Sequence, residues 1–145
     1  MTAESLGMQR ELLIEALNEL LSAERAGAQV ASISLNETEA EVARKMLTQV
    51  HRGEADSVRR LRECLLLLDA EPTPERGAFY EKCMAISDLP ERLALVDRGQ
   101  KWVIRKLEGL LEQVTHPRIR QELEAVLSTH EVNSADYAAK APELK

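Results

Sequence analysis

Residues 70–89 read AEPTPERGAFYEKCMAISDL and separate two long helical patterns in the chain. The segment begins with Pro72 and Pro74 and continues to Gly77, and residues of these types interrupt a helix. Only its middle, about residues 78–86, is predicted to form a short helix. The two halves of the chain are therefore joined by a long connection, which can carry the chain along the full length of a helix.

Apolar residues recur every three or four positions on both sides of this connection, which is the period of one helix face. The residue types are mostly Leu, Ala, Glu and Arg, which favour helix. Four long helices are predicted, over about residues 8–35, about residues 39–69, from Pro90 in a first turn capped by Asp88 to about Thr115, and from Pro117 towards Pro142.

The lengths of the connections predict how these helices pack. The links within each half are short and favour antiparallel hairpins, whereas the long link lets the second hairpin run up beside the first. We therefore predict an all-α fold, a four-helix bundle of two antiparallel hairpins joined by a long crossover that carries a short helix. This is the ferritin-like topology. Residues 1–145 are expected to form one domain.

Composition excludes several classes of function. Apolar residues make up 44% of the chain and charged residues 30%, and no apolar run is as long as a membrane span. The net charge of −6 disfavours nucleic acid as a partner. The amino-terminal residues contain no apolar signal core, so a cytoplasmic protein is expected, and Cys64 and Cys83 are predicted to be free thiols.

Polar residues interrupt each apolar stripe near the middle of its helix. In a bundle these interruptions would lie at similar heights, where several buried carboxylates are unfavourable unless a cation or protons neutralise them. Iron and manganese accept both carboxylate and imidazole ligands. The sequence thus predicts a metal site, with the candidate ligands Glu24, Glu54, Asp97, His130 and Glu131. Glycines beside the acids, Gly27, Gly53 and Gly99, indicate tight helix contacts or room for a bound group.

Four stretches of the chain resemble the ferritin-like superfamily, and most closely its small bacterial domains of uncharacterised function. They are LNELLSAERAG at 17–27, GAFY at 77–80, RGQKWV at 98–103 and HEVN at 130–133. The resemblance extends over about residues 12–137. Active di-metal members carry a Glu on each of two helices and a Glu-x-x-His on each of the other two.

The resemblance implies partial matches to that ligand set. Glu24 matches the first-helix Glu, and Glu54 matches the second-helix Glu, although Ser57 replaces its histidine. Asp97, or less well Gln100, stands for the third-helix Glu.

The fourth helix leaves two registers open. His130 can be a ligand with Leu127 in place of its Glu, or Glu131 can be a ligand with Ser134 in place of its histidine. Neither register contains an intact Glu-x-x-His, so the sequence assigns no oxidase or ferroxidase activity.

Two functions fit these residues. The first is a degenerate central site that weakly binds iron or manganese. The second is a non-catalytic structural or interaction bundle, a homodimer in which Arg98, Gln100 or His130 pairs with the central acids. Phe79 and Tyr80 would be anchors of the dimer interface. A small-molecule ligand in the bundle is a further option, and the sequence does not identify it.

Overall fold

The computed structural model describes residues 1–144, and within that range it contains six helices and no strand. The helices are α1 (Ala3–Leu6), α2 (Arg10–Leu35), α3 (Glu41–Leu67), α4 (Phe79–Met84), α5 (Leu89–Leu111) and α6 (Pro117–Lys140), and a 3-10 turn follows over Ala141–Leu144. The predicted all-α class is confirmed. Of the helices in the described range, none combines the length and the hydropathy that crossing a membrane requires.

Local chemistry sets the starts of the two later long helices. The Asp88 carboxylate accepts a hydrogen bond of 3.1 Å from the Glu91 backbone N–H, and Pro90 lies in the first turn of α5. Before α6, His116 Nδ1 accepts from the Ile119 backbone N–H at 3.3 Å. Both side chains satisfy N–H groups that have no partner within the helix.

Each half of the chain forms an antiparallel pair of helices. The Arg10 side chain donates to the Leu68 carbonyl, which places the start of α2 beside the end of α3. In the second half, Arg120 donates to the Leu111 carbonyl at 2.6 Å, which places the start of α6 beside the end of α5.

Ion pairs join the two halves. Arg60 of α3 contacts Glu122 of α6 at 2.8 Å, and Lys106 of α5 contacts Glu19 of α2 at 2.8 Å. The long connection lies across the gap between α2 and α5, where the Gly77 N–H donates to a carbonyl of α2 at 3.1 Å. Crossover and ion pairs thus place α2 beside α5 and α3 beside α6.

Two apolar clusters occupy opposite ends of the long helices. The larger contains Leu17 and Leu61, and the smaller contains Val30 and Leu47. Along each long helix, the residues between the two clusters include a buried polar side chain. The polar interruptions of the sequence therefore lie between two apolar regions of the core.

Both cysteines are buried and unpaired, which confirms the prediction of free thiols. Cys64 lies in the larger apolar cluster and Cys83 in the smaller one. Burial raises the pKa of the Cys83 thiol to about 11, so neither its position nor its ionisation favours reactivity.

Candidate metal centre

Three of the five predicted ligands meet between the helices: Glu24 of α2, Glu54 of α3 and His130 of α6. One ligand atom from each lies within 4.8 Å of the others. These three residues are 0%, 3% and 1% exposed, in that order. The His130 Nε2 atom is 2.9 Å from Glu24 Oε1 and 3.6 Å from Glu54 Oε1.

Asp97 is buried but lies outside this group, which corrects its prediction as a ligand. Its carboxylate accepts a hydrogen bond from Ser134 at 2.8 Å and forms an ion pair with Lys101 at 3.2 Å. Gln100 is the α5 residue that reaches the group, because its Nε2 donates to Glu54 Oε1 at 2.5 Å. The sequence had favoured Asp97 over Gln100 at this position, and the structure reverses that order.

Glu131 is exposed and is likewise not part of the group. Adjacent helical residues point about 100° apart, so only one of His130 and Glu131 can face the interior. His130 continues the spacing of Ile119, Leu123 and Val126, which are all fully buried. That spacing of four, three and four residues is the signal that distinguishes the two registers.

Hydrogen bonding fixes the orientation of the His130 ring. Nδ1 lies 2.8 Å from the Val126 carbonyl oxygen, one helical turn earlier. A carbonyl can only accept, so Nδ1 carries the hydrogen, and in the neutral ring the Nε2 lone pair faces the two carboxyl groups. Metal-binding histidines are commonly held by the same kind of bond from the other ring nitrogen.

Several atoms of this group have no hydrogen-bond partner among the described residues. They include both oxygens of Glu24, Nε2 of His130 and Oε1 of Gln100. The 2.9 Å contact between Nε2 and Glu24 is short enough for a hydrogen bond but lacks the required direction. A buried polar group without a partner costs about 1–3 kcal/mol, so the group is unfavourable until protons or a cation bind it.

No lysine or arginine within residues 1–144 forms a salt bridge with either buried glutamate. Burial raises the pKa of Glu24 to about 7. Burial, and then the neighbouring Glu24, raise the pKa of Glu54 well above its usual range. Arg98, one of the three partners considered for these acids, is exposed and forms no salt bridge with them in the described residues. Burial therefore disfavours the form of the metal-free group in which both carboxyls are charged.

Glycine makes room for one of the carboxyls. A Cβ atom at Gly27 would lie 2.8 Å from Glu54 Oε2, which is closer than a real side chain permits. A Cβ at Gly53 would meet α6 at 2.7 Å, and one at Gly99 would meet the ring of Phe79 at 2.7 Å. Both roles that the sequence predicted for these glycines are therefore present. Gly27 leaves space at the site, and Gly53 and Gly99 permit close packing.

The donor set fits one divalent ion. Ligand atoms about 2.1 Å from one ion lie about 3.0–3.4 Å apart, and the two distances from His130 Nε2 are close to this range. Two carboxylates and an imidazole suit manganese, iron or zinc. A second ion would need further ligands, and Ser57 and Leu127 occupy the positions where the resemblance expects them.

Fold and site together define an all-α protein with a buried cluster of two glutamates and one histidine. The chain belongs to the family described as a domain of unknown function (DUF6306), which it matches over residues 11–139. No curated protein and no solved structure matches the chain. The matched residues include all three members of the cluster.

Proposed function

We propose that this chain is a ferritin-like four-helix bundle that binds one iron or manganese ion through Glu24, Glu54 and His130. The observation that supports this most strongly is that three buried ligand atoms converge while no lysine or arginine of residues 1–144 pairs with either glutamate. A bound cation would neutralise the carboxylates and use the lone pair of Nε2.

The ferritin-like topology is supported by the directions of the helices. Neighbouring helices are antiparallel within each half and also where α2 faces α5 and α3 faces α6. It follows that α3 and α5 run in the same direction, so that the connection between them must return along the bundle. That connection is the long crossover with α4, as the topology requires.

A bound ion would supply Lewis-acid or redox chemistry at this position. The residues of the chain hold and orient it: His130 is fixed by Val126, and Glu54 is fixed by Gln100. The proposal stops at metal binding and assigns no catalytic step.

The second candidate is a non-catalytic bundle whose former metal site is neutralised by protons. It is favoured by the hydrogen bond of 2.5 Å from Gln100 to Glu54 and by the raised pKa values of both glutamates. Such a protein would act through its surface as a homodimer. Leu12 and Leu66 are each 56% exposed at neighbouring helix ends, where a second copy of the chain could cover them. Light scattering after gel filtration would show whether the particle has the mass of a dimer.

Metal analysis distinguishes the two candidates. The protein would be expressed with iron and manganese supplied and analysed by inductively coupled plasma mass spectrometry. We expect about one ion per chain in the native protein and less than about a tenth of that in Glu24→Gln. Glu131→Gln is the matched control, because it makes the same change on the exposed face beside His130 and should retain the metal. A native protein without metal would favour the proton-neutralised bundle.

A further inference from the structure

A cleft of about 630 Å³ lies between α2 and α5 beside the crossover, and Glu24, Glu54 and Gln100 line its inner end. Its volume is within the range of about 300–1,000 Å³ that is usual for small-molecule sites. Apolar side chains form much of its wall, among them Phe79, Leu95, Val96 and Trp102. The cleft therefore ends at the candidate metal centre, where Glu24 and Glu54 are 0% and 3% exposed, and its wall is largely apolar.

Three cationic side chains line the same cleft: Lys82 of α4, and Arg98 and Arg105 of α5. All three are exposed, and none forms a salt bridge with an acid in the described part of the chain. Arg98 and Arg105 are seven residues apart, which puts them on one face of α5, about 10 Å apart along the helix axis. In a chain of net charge −6, this cluster is a local positive region.

The one acid at the outer part of the cleft is already neutralised. Glu19 pairs with Lys106 at 2.8 Å, and the Lys106 ammonium lies 5.6 Å from the centre of the Trp102 ring. The outer cleft thus carries an excess of positive charge above an apolar wall, and the inner end carries two carboxyls. An anionic group is attracted to the outer part and repelled from the metal-free inner end.

We propose that this cleft binds a small monocarboxylate with an apolar chain. The carboxylate is held by Arg98 and Arg105, and the chain lies against Phe79 and Trp102 with its far end towards Glu24. The view that this carboxylate is a substrate of the metal centre rests on the proposed function. Its binding in the cleft needs no metal. The far end of the chain, not its carboxylate, then lies nearest the ion.

Trp102 is the single tryptophan of the chain and lines the cleft, so its fluorescence reports occupancy. Metal-free protein would be titrated with octanoate, with isothermal titration calorimetry as a second readout. We expect a saturable signal, weakened at least about fivefold in the double variant Arg98→Gln, Arg105→Gln. Octanol, which has the chain without the charge, should bind at least about fivefold more weakly than octanoate.

The matched control is the double variant Arg52→Gln, Arg62→Gln, which removes the same charge from exposed positions of α3. It should bind octanoate like the native protein. Equal weakening in the two double variants, or no saturable signal up to about 10 mM octanoate, would overturn the proposal. Because the titration uses metal-free protein, a failure to bind metal would contradict the proposed function and leave the cleft result intact.

Discussion

Asp97 and Glu122 are 6% and 5% exposed, nearly as buried as the two central glutamates, but they have cationic partners. Lys101 contacts Asp97 at 3.2 Å, and Arg60 contacts Glu122 at 2.8 Å. A positively charged side chain lies beside each of these carboxylates, which offsets part of the cost of burying its charge. Both partners reach in from more exposed positions on the helix surface.

Glu24 and Glu54 differ in having no lysine or arginine partner among the described residues, and their polar neighbours are each other, Ser57, His130 and the neutral Gln100. Their pKa values are raised, which means that the metal-free fold disfavours the charged form. Apolar residues of similar volume in place of such a pair would often leave the fold equally stable or more stable. Under the proposed function the layer of Glu24 and Glu54 binds the ion, whereas Asp97 and Glu122 contribute to packing and stability.

The largest expected effect is on the pH dependence of stability. A free Glu carboxyl has a pKa of 4.5 and the folded Glu24 one of about 7, so the folded state binds more protons between these values. The free energy of unfolding of metal-free protein should therefore fall by roughly 2–3 kcal/mol from pH 5 to pH 8, as measured by urea denaturation. Glu24→Gln should flatten this slope, and a native stability that rises over this range would contradict the account.

The next effect compares the two kinds of carboxyl directly. At pH 8 without metal, Glu24→Gln should raise the free energy of unfolding by about 1–2 kcal/mol, because it removes an uncompensated buried charge. Glu122→Gln should lower it by about 1 kcal/mol, because it weakens the ion pair with Arg60. Both variants make the same chemical change from carboxyl to amide. If the free energy of unfolding shifted in the same direction in both, the distinction between acids with and without a cationic partner would be lost.

A smaller effect is expected from Gly27→Ala. The added Cβ would displace the Glu54 carboxyl, so metal affinity measured by competition with a chelator should fall about tenfold. Gly109→Ala is the matched control, since nothing lies within 4 Å of its added Cβ. That variant should leave metal affinity unchanged and gain up to about 1 kcal/mol of stability from helix propensity. Equal affinities in the two variants would show that Gly27 does not serve the site.

The smallest effect is expected at an exposed ion pair. Lys45 and Glu41 are 3.1 Å apart on α3, and both side chains are largely exposed. Lys45→Ala should change the free energy of unfolding by less than about 0.5 kcal/mol. A change as large as that of Glu122→Gln would mean that burial does not govern the strength of these pairs.

The long helices could be predicted from the sequence because apolar spacing and proline positions act locally. Asp88 and Pro90 begin α5 as expected, and the observed ends of all four lie within a few residues of the predicted ones. The short α1 was not predicted, since four residues show no periodicity. It depends instead on the reciprocal hydrogen bonds between Thr2 and Ser5.

The site could be predicted only in part, because spacing places a residue on a face without specifying its contacts. Glu24, Glu54 and His130 interrupt their stripes and do meet. Asp97 and Gln100 share one face of α5. Gln100 reaches Glu54 whereas Asp97 pairs with Lys101, and only the distances between the helices show this difference. Such distances depend on the rotation of each helix, which one sequence does not define.

Anomalous diffraction tests the central claim most directly. Crystals of the native protein grown with manganese would be measured for the anomalous signal of that metal. The account predicts a single peak bonded to Glu24, Glu54 and His130 Nε2 at about 2.0–2.3 Å. The absence of an anomalous peak at these three residues would contradict the account.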